Sequence, residues 1–144
     1  MLEATLPDLL DEPVVNPDAF YPDFNVKDWQ EAYRVPGTAP VTLAFQLRLA
    51  LRACNRALEP WKEEQILVGV VELPAELTDW YTDAVYARAA ALLIPLLPSL
   101  ITDERAREHL ELLKQRPEAF VARSDEMLNR IRGLAPKAER IELI

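Results

Sequence analysis

The sequence predicts an all-α protein: a single helical bundle of about four to five helices, with an extended N-terminal arm and an extended C-terminal tail. Three observations predict it. Half of the 144 residues are apolar, enough for a core, and over much of the chain they recur at three- and four-residue spacing. Glycine is scarce, with only 3 residues, which disfavours a fold made of hairpins or phosphate loops. The 12 prolines fall mostly between the helical patterns, where they act as stiff joints. The length suits one domain.

Residues 1–25 read as an acidic, proline-rich arm. Pro7, Pro13, Pro17 and Pro22 recur too closely for a continuous helix, and Phe20-Tyr21-Pro22-Asp23-Phe24 sets three aromatics around a turn former. A helical domain follows over residues 26–135. Asn25 offers a side-chain oxygen to a first helix over about Val26–Arg34, with Asp28 in its first turn, and Pro36-Gly37 ends it. The second helix opens near Pro40, after Thr38 or Ala39. Leu43, Leu47, Ala50, Cys54 and Leu58 form its buried stripe, and Arg52, Asn55, Arg56 and Glu59 are expected to face away. Phe45 and Leu49 lie off that stripe, and a second apolar strip implies a second neighbour, inside the domain or across a subunit boundary. Pro60 either kinks this helix or opens a short new one through Leu67. The stretch Ile66–Val71 is β-prone but too short to define a sheet.

A third helix is expected over about Thr78–Leu97. From Ala84 onward it is apolar all round with Arg88 its only charge, which assigns it to the centre of the domain, and Pro95 and Pro98 break or kink it. Thr102 is expected to cap a fourth helix, with Asp103 and Glu104 at its positive end and Ala106, Leu110 and Leu113 as its stripe. After the break at Arg116-Pro117, a fifth helix carries Phe120, Ser124, Met127, Leu128, Ile131 and Leu134, with Gly133 as its C-terminal cap. Residues 136–144 form the tail.

The formal charge of −8 is concentrated at the start: residues 1–35 hold eight acids against two bases, whereas residues 102–144 hold nine of each. Such a protein should not adhere to nucleic acid or anionic lipid by bulk attraction. The single cysteine, Cys54, has no internal disulfide partner and fits no metal spacing. The first residues lack the basic and apolar pattern of a secretory leader. The longest apolar run, Ala89–Ile101, is interrupted by two prolines and falls short of the ~20 residues of a membrane span. The sequence reads as a soluble, intracellular protein.

Nothing in the residue pattern points to catalysis, a metal or a cofactor. His109, the only histidine, sits among Glu108 and Glu111 on a charged turn, without the partners a general base needs. Cys54 belongs to a buried stripe, where a thiol behaves as a small hydrophobe. The adjacent carboxylates Glu63-Glu64 and Asp125-Glu126 point in different directions along a helix and form no dyad.

Two features do not look like core. Residues 129–140 carry Arg130, Arg132, Lys137 and Arg140 against Glu139 alone. Beyond them Arg140, Ile141, Glu142, Leu143 and Ile144 alternate, so an extended segment could lay aliphatic side chains in a partner's groove or along a sheet edge; the other reading folds the tail over its own core. In the arm, Phe20, Tyr21 and Phe24 either clamp the arm across its own bundle or anchor a neighbouring subunit.

The order of landmarks resembles a known family. An acidic, proline-rich arm leads to Phe20-Tyr21-Pro22-Asp23 and a short helix with Trp29. Ala39-Pro40 opens a long helix through Asn55, Leu58 and Trp61 into Lys62-Glu63-Glu64-Gln65. Leu73-Pro74-Ala75 links it to an aromatic helix with Tyr81 and Tyr86-Ala87-Arg88-Ala89. Leu128-Asn129-Arg130-Ile131, a proline and a short aliphatic terminus close the chain. Over residues 18–144 this resembles the head completion proteins, the L-protein (GPL) family, of temperate phages with contractile tails.

The resemblance implies a non-enzymatic connector in the virion's head–tail neck, assembled in the host cytoplasm. Its partners would be the portal protein, neighbouring copies of itself in a twelvefold ring, and the tail completion or terminator protein. DNA would pass through the channel without sequence-specific binding, and no membrane would be involved. By analogy with helical head–tail adaptors, Arg140 to Ile144 would engage the portal. A ring needs two different contact faces on each subunit, for which Phe20, Tyr21, Phe24, Phe45 and Leu49 are the candidates. The competing expectation is a small acidic helical adaptor or inhibitor that binds one basic protein partner without forming rings.

Overall fold

The computed structural model describes residues 8–133. Its order is β1 (Pro13–Val14), β2 (Phe24–Asn25), α1 (Val26–Tyr33), α2 (Pro40–Leu67), α3 (Thr78–Leu93), α4 (Leu97–Leu100), α5 (Glu104–Glu108) and α6 (Pro117–Ile131). The all-α class stands, with 68% of the described residues helical and, among them, one two-stranded antiparallel bridge, Val14 opposite Phe24.

Asn25 starts α1 as its sequence implies. Its side-chain oxygen accepts from the backbone N–H of Lys27 at 3.1 Å and also from that of Glu12 at 3.1 Å, so one side chain caps the helix and ties in the arm. The fully buried Gln30 repeats this device. Its Oε1 accepts from the Leu10 N–H at 2.8 Å, and its Nε2 donates to the carbonyls of Asp8 and Val35. A Cβ at Gly37 would collide with the Asp8 backbone, so the close approach of arm to loop requires glycine there.

α2 is continuous through Pro60, and its buried side carries Leu43, Leu47, Ala50, Leu51, Cys54 and Leu58. Asn55, expected to face solvent, is instead buried, because its amide completes a polar cluster described below. No strand forms at Ile66–Val71: α2 runs to Leu67 and the chain turns through Gly69 at a φ of 92°.

α3 lies at the centre, packed chiefly on α6 and α2. Ala84, Ala87, Ala89 and Ala90 are completely buried, since small side chains let two helices approach a third from different sides. α3 ends four residues earlier than expected. The Pro95 ring nitrogen cannot donate to a preceding carbonyl, and the chain tightens into a 3-10 turn over Ile94–Leu96 before the single turn of α4. The helical run Ala75–Leu100 is long and apolar enough to cross a membrane by composition, but 56% of its apolar window is buried inside the domain, as befits a central helix.

The expected fourth helix is corrected more heavily. Asp103, not Thr102, caps it by accepting from the Arg105 N–H at 3.0 Å, and α5 lasts only one turn. Of the expected stripe Ala106 is exposed, whereas Leu110 and Leu113 pack half-buried against the core, and Leu112, on a separate 3-10 turn, is buried in it. A segment this charged has too little apolar face to hold a longer helix by packing. α6 begins with Pro117 in its first turn and buries Ser124, Leu128 and Ile131; Gly133 follows it at a φ of 72°, the left-handed conformation of a C-terminal cap.

Candidate interaction surfaces

The arm aromatics are core. Phe20, Tyr21 and Phe24 are all buried within their own chain, the clamp that is the first of the two readings of the arm. The Tyr21 ring stacks on Tyr81 of α3 with centroids 4.6 Å apart and planes 6° from parallel. Phe20 sets its edge against Trp61, and Phe24 against Tyr86. These rings bury large apolar areas within their own chain, so the arm from Asp8 onward serves as a clamp.

Polar contacts fix the clamp in register. Tyr81 donates its hydroxyl proton to Asn55 Oδ1 at 2.5 Å and accepts from Asn16 Nδ2 at 2.9 Å, while Asn55 Nδ2 donates to Asn16 Oδ1 at 2.9 Å. The triangle joins the arm, α2 and α3, and all three side chains are buried and satisfied. Burial pushes the Tyr81 phenol well above its ordinary range and keeps it a hydrogen-bond donor. Beside it, Asp18 meets Lys62 at 2.6 Å. Partial burial favours the neutral carboxyl, but the Lys62 ammonium and the Phe20 N–H outweigh it and lower the Asp18 pKa. Sequence reasoning passed over Asn16 and mislaid Asn55. The available signal was a polar residue inside a proline- and aromatic-rich stretch, where an unpaired amide would be costly.

The charges of α3 and α6 are similarly spent on the fold. Arg88 reaches Asp125 at 2.6 Å and Ser124 at 3.3 Å, and Ser124 donates to the Ala84 carbonyl at 2.8 Å. Asp83 accepts from Tyr33 at 2.6 Å and from Arg123 at 2.7 Å. Burial pushes the Cys54 thiol up to about 11, leaving it protonated and unreactive at neutral pH. His109 is exposed at the end of α5. Among the described residues, no group of histidine, cysteine and carboxylates is arranged to hold a metal ion.

Besides Leu9 and Val15 in the arm and Leu92 and Leu96 around the end of α3, the uncovered large apolar side chains among the described residues lie on the solvent side of α2 and the turn beyond it. Phe45 is 49% exposed and Leu49 half-buried, so the second strip recognised in the sequence has no partner among the described residues. Val41, one turn earlier, is 82% exposed. At the far end Ile66, Leu67, Val68 and Val71 all face solvent, with Leu67 at 85%. This apolar tip had been legible only as a β-prone stretch. Arg140, Ile141, Glu142, Leu143 and Ile144 lie outside the described residues.

An N-terminal clamp locked into a small helical core, with contiguous apolar and charged surface left over along one helix, defines a helical module with faces suited to protein contact. The chain belongs to the phage head completion protein (GPL) family, whose model matches residues 15–144. Its role is structural, in assembly of the phage head, and it is a component of the virion put together in the host. No match was found among the curated proteins or the solved structures.

Proposed function

We propose that the protein is a head–tail connector of the virion neck. It assembles as a twelvefold ring beneath the portal after DNA packaging, extends the DNA channel and gives the tail completion or terminator protein a docking surface. The observation that carries this reading is the uncovered apolar strip and tip of α2 in a member of a head completion family. Exposed Val41, Phe45, Leu67 and Val68 gain nothing in water and become favourable only when another protein covers them. Phe45 and Leu49 would supply one face of the ring contact.

The C-terminal residues Arg140 to Ile144 would grip the portal, their aliphatic side chains alternating with charges as in an added strand or groove ligand. Each such grip can be weak, because in a ring one engaged tail raises the local concentration of the next. The formal charge of −8 suits a conduit through which DNA slides without adhering.

The experiment is to mix the full chain with purified portal rings and image the product, beside a chain lacking residues 137–144. The expected result is many copies on each portal for the full chain, and no stable attachment but an unchanged thermal transition for the truncated one. A one-to-one complex with a single basic protein and bare portals would contradict the proposal and favour an adaptor. Unfolding of the truncated chain would show that the tail belongs to the core.

A further inference from the structure

α2 carries more than an apolar strip on its solvent side. Residues 41, 45, 48, 52, 56, 59, 63, 66 and 67 follow one another by three or four positions, with a single step of one at the end. At 3.6 residues per turn they occupy about 100° of the helix circumference, one continuous face roughly 40 Å long. Its charge changes sign along that length. The N-terminal half presents Val41, Phe45, Arg48, Arg52 and Arg56, all exposed. The C-terminal half presents Glu59, Glu63, Ile66 and Leu67, with Glu64 flanking and the apolar turn at Val68 and Val71 beyond. No ion pair engages Arg48, Arg52 or Arg56 among the described residues, whereas Lys62, Arg88, Arg123 and Arg130 each meet a carboxylate of the fold.

A face that runs apolar, basic, acidic, apolar is complementary to itself when reversed. We infer that two copies of the chain pair through antiparallel α2 helices, forming a two-fold dimer. Centring the pair between Ala57 and Leu58 sets Arg52 of each copy against Glu63 of the other and Arg56 against Glu59. The same register brings Phe45 onto the Leu67–Val71 end of the partner helix. By symmetry every contact occurs twice, so a modest complementarity is doubled. A nucleic-acid phosphate backbone fits less well: it would meet Val41 and Phe45 at one end and the carboxylates of Glu63 and Glu64 at the other. The occupant that matches all four zones in order is a second copy.

The inference goes beyond the ring. Pairing would cover Phe45 and the α2 tip in the free protein, so that the pair must part before that face can be buried again in the ring.

The test is sedimentation equilibrium of the full chain across a range of protein and salt concentrations, with R48E/R52E and E63R/E64R variants. All four residues are exposed, so circular dichroism and the thermal transition should match the parent. The parent should form dimers, and no larger species, that weaken as salt rises, because screened charges set the register. Each variant should associate ~10-fold or more weakly, since attraction becomes repulsion in both symmetric halves. An equimolar mixture of the two variants should restore a dimer containing one of each.

A parent that stays monomeric at the highest concentration, open-ended growth beyond two, or association indifferent to both reversals would overturn the inference. So would a parent that binds duplex DNA through Arg48 and Arg52 without dimerising. Portal decoration is scored separately: a dimer that ignores portals counts only against the proposed function, and a monomer that coats them counts only against this pairing.

Discussion

The arm and the outer face of α2 carry similar chemistry and meet opposite fates. Both hold aromatic and aliphatic side chains off any simple helical stripe, and both were candidates for subunit contact. Phe20, Tyr21 and Phe24 are buried in their own chain, while Phe45 and Leu67 stand in solvent. The difference lies in the polar residues between the apolar ones. In the arm, Asn16, Asp18 and Asn25 each bind a specific partner at a sequence distance, which fixes the register in which the rings can pack. On α2 the intervening residues are arginines and glutamates that reach outward. Apolar content shows that a surface will be covered; the placement of short polar side chains shows whether the chain covers it itself.

Paired substitutions should separate the two regions most clearly. Phe24→Ala removes a buried ring and should cost about 3–5 kcal/mol of folding stability, whereas Phe45→Ala should cost less than about 1 kcal/mol. Chemical denaturation of the two variants checks this. Equal losses would mean that the α2 strip packs internally and offers no contact surface.

A finer comparison uses the stacked tyrosines. Tyr81→Phe leaves the buried amides of Asn16 and Asn55 each short of a partner and should cost about 1–3 kcal/mol. Tyr21→Phe removes a buried hydroxyl that has no partner among the described residues, and should change stability by less than about 0.5 kcal/mol. Thermal denaturation of both variants would expose an error if Tyr21→Phe proved the costlier.

Much of the architecture was legible because the signals were local. The Asn25 cap, Pro40 at the head of α2, the alanine-rich centre of α3 and Pro117 opening α6 each act within a turn or two of themselves. The errors share a cause in distance. Asn55 looks solvent-facing from helical spacing alone, and its burial depends on Asn16 and Tyr81, 39 and 26 residues away. The α5 segment has caps and helix formers, but its apolar contacts, Leu110, Leu112 and Leu113, all lie beyond Glu108 and leave α5 itself no buried face to extend it. Of the candidate surfaces, the strip at Phe45 and Leu49 was readable because helical periodicity marks a second face directly. The tip at Ile66–Val71 was not, since aliphatic residues in a turn resemble a strand until the helix before them is known to continue.

The most direct measurement is hydroxyl-radical footprinting of the protein, first diluted to monomer and then bound to portal rings. The account predicts that Phe20, Tyr21 and Phe24 are protected in both states, while Phe45 and Leu67 are oxidised in the monomer and protected on the portal. Arm aromatics that react in the monomer, or an α2 face equally reactive in both states, would contradict it.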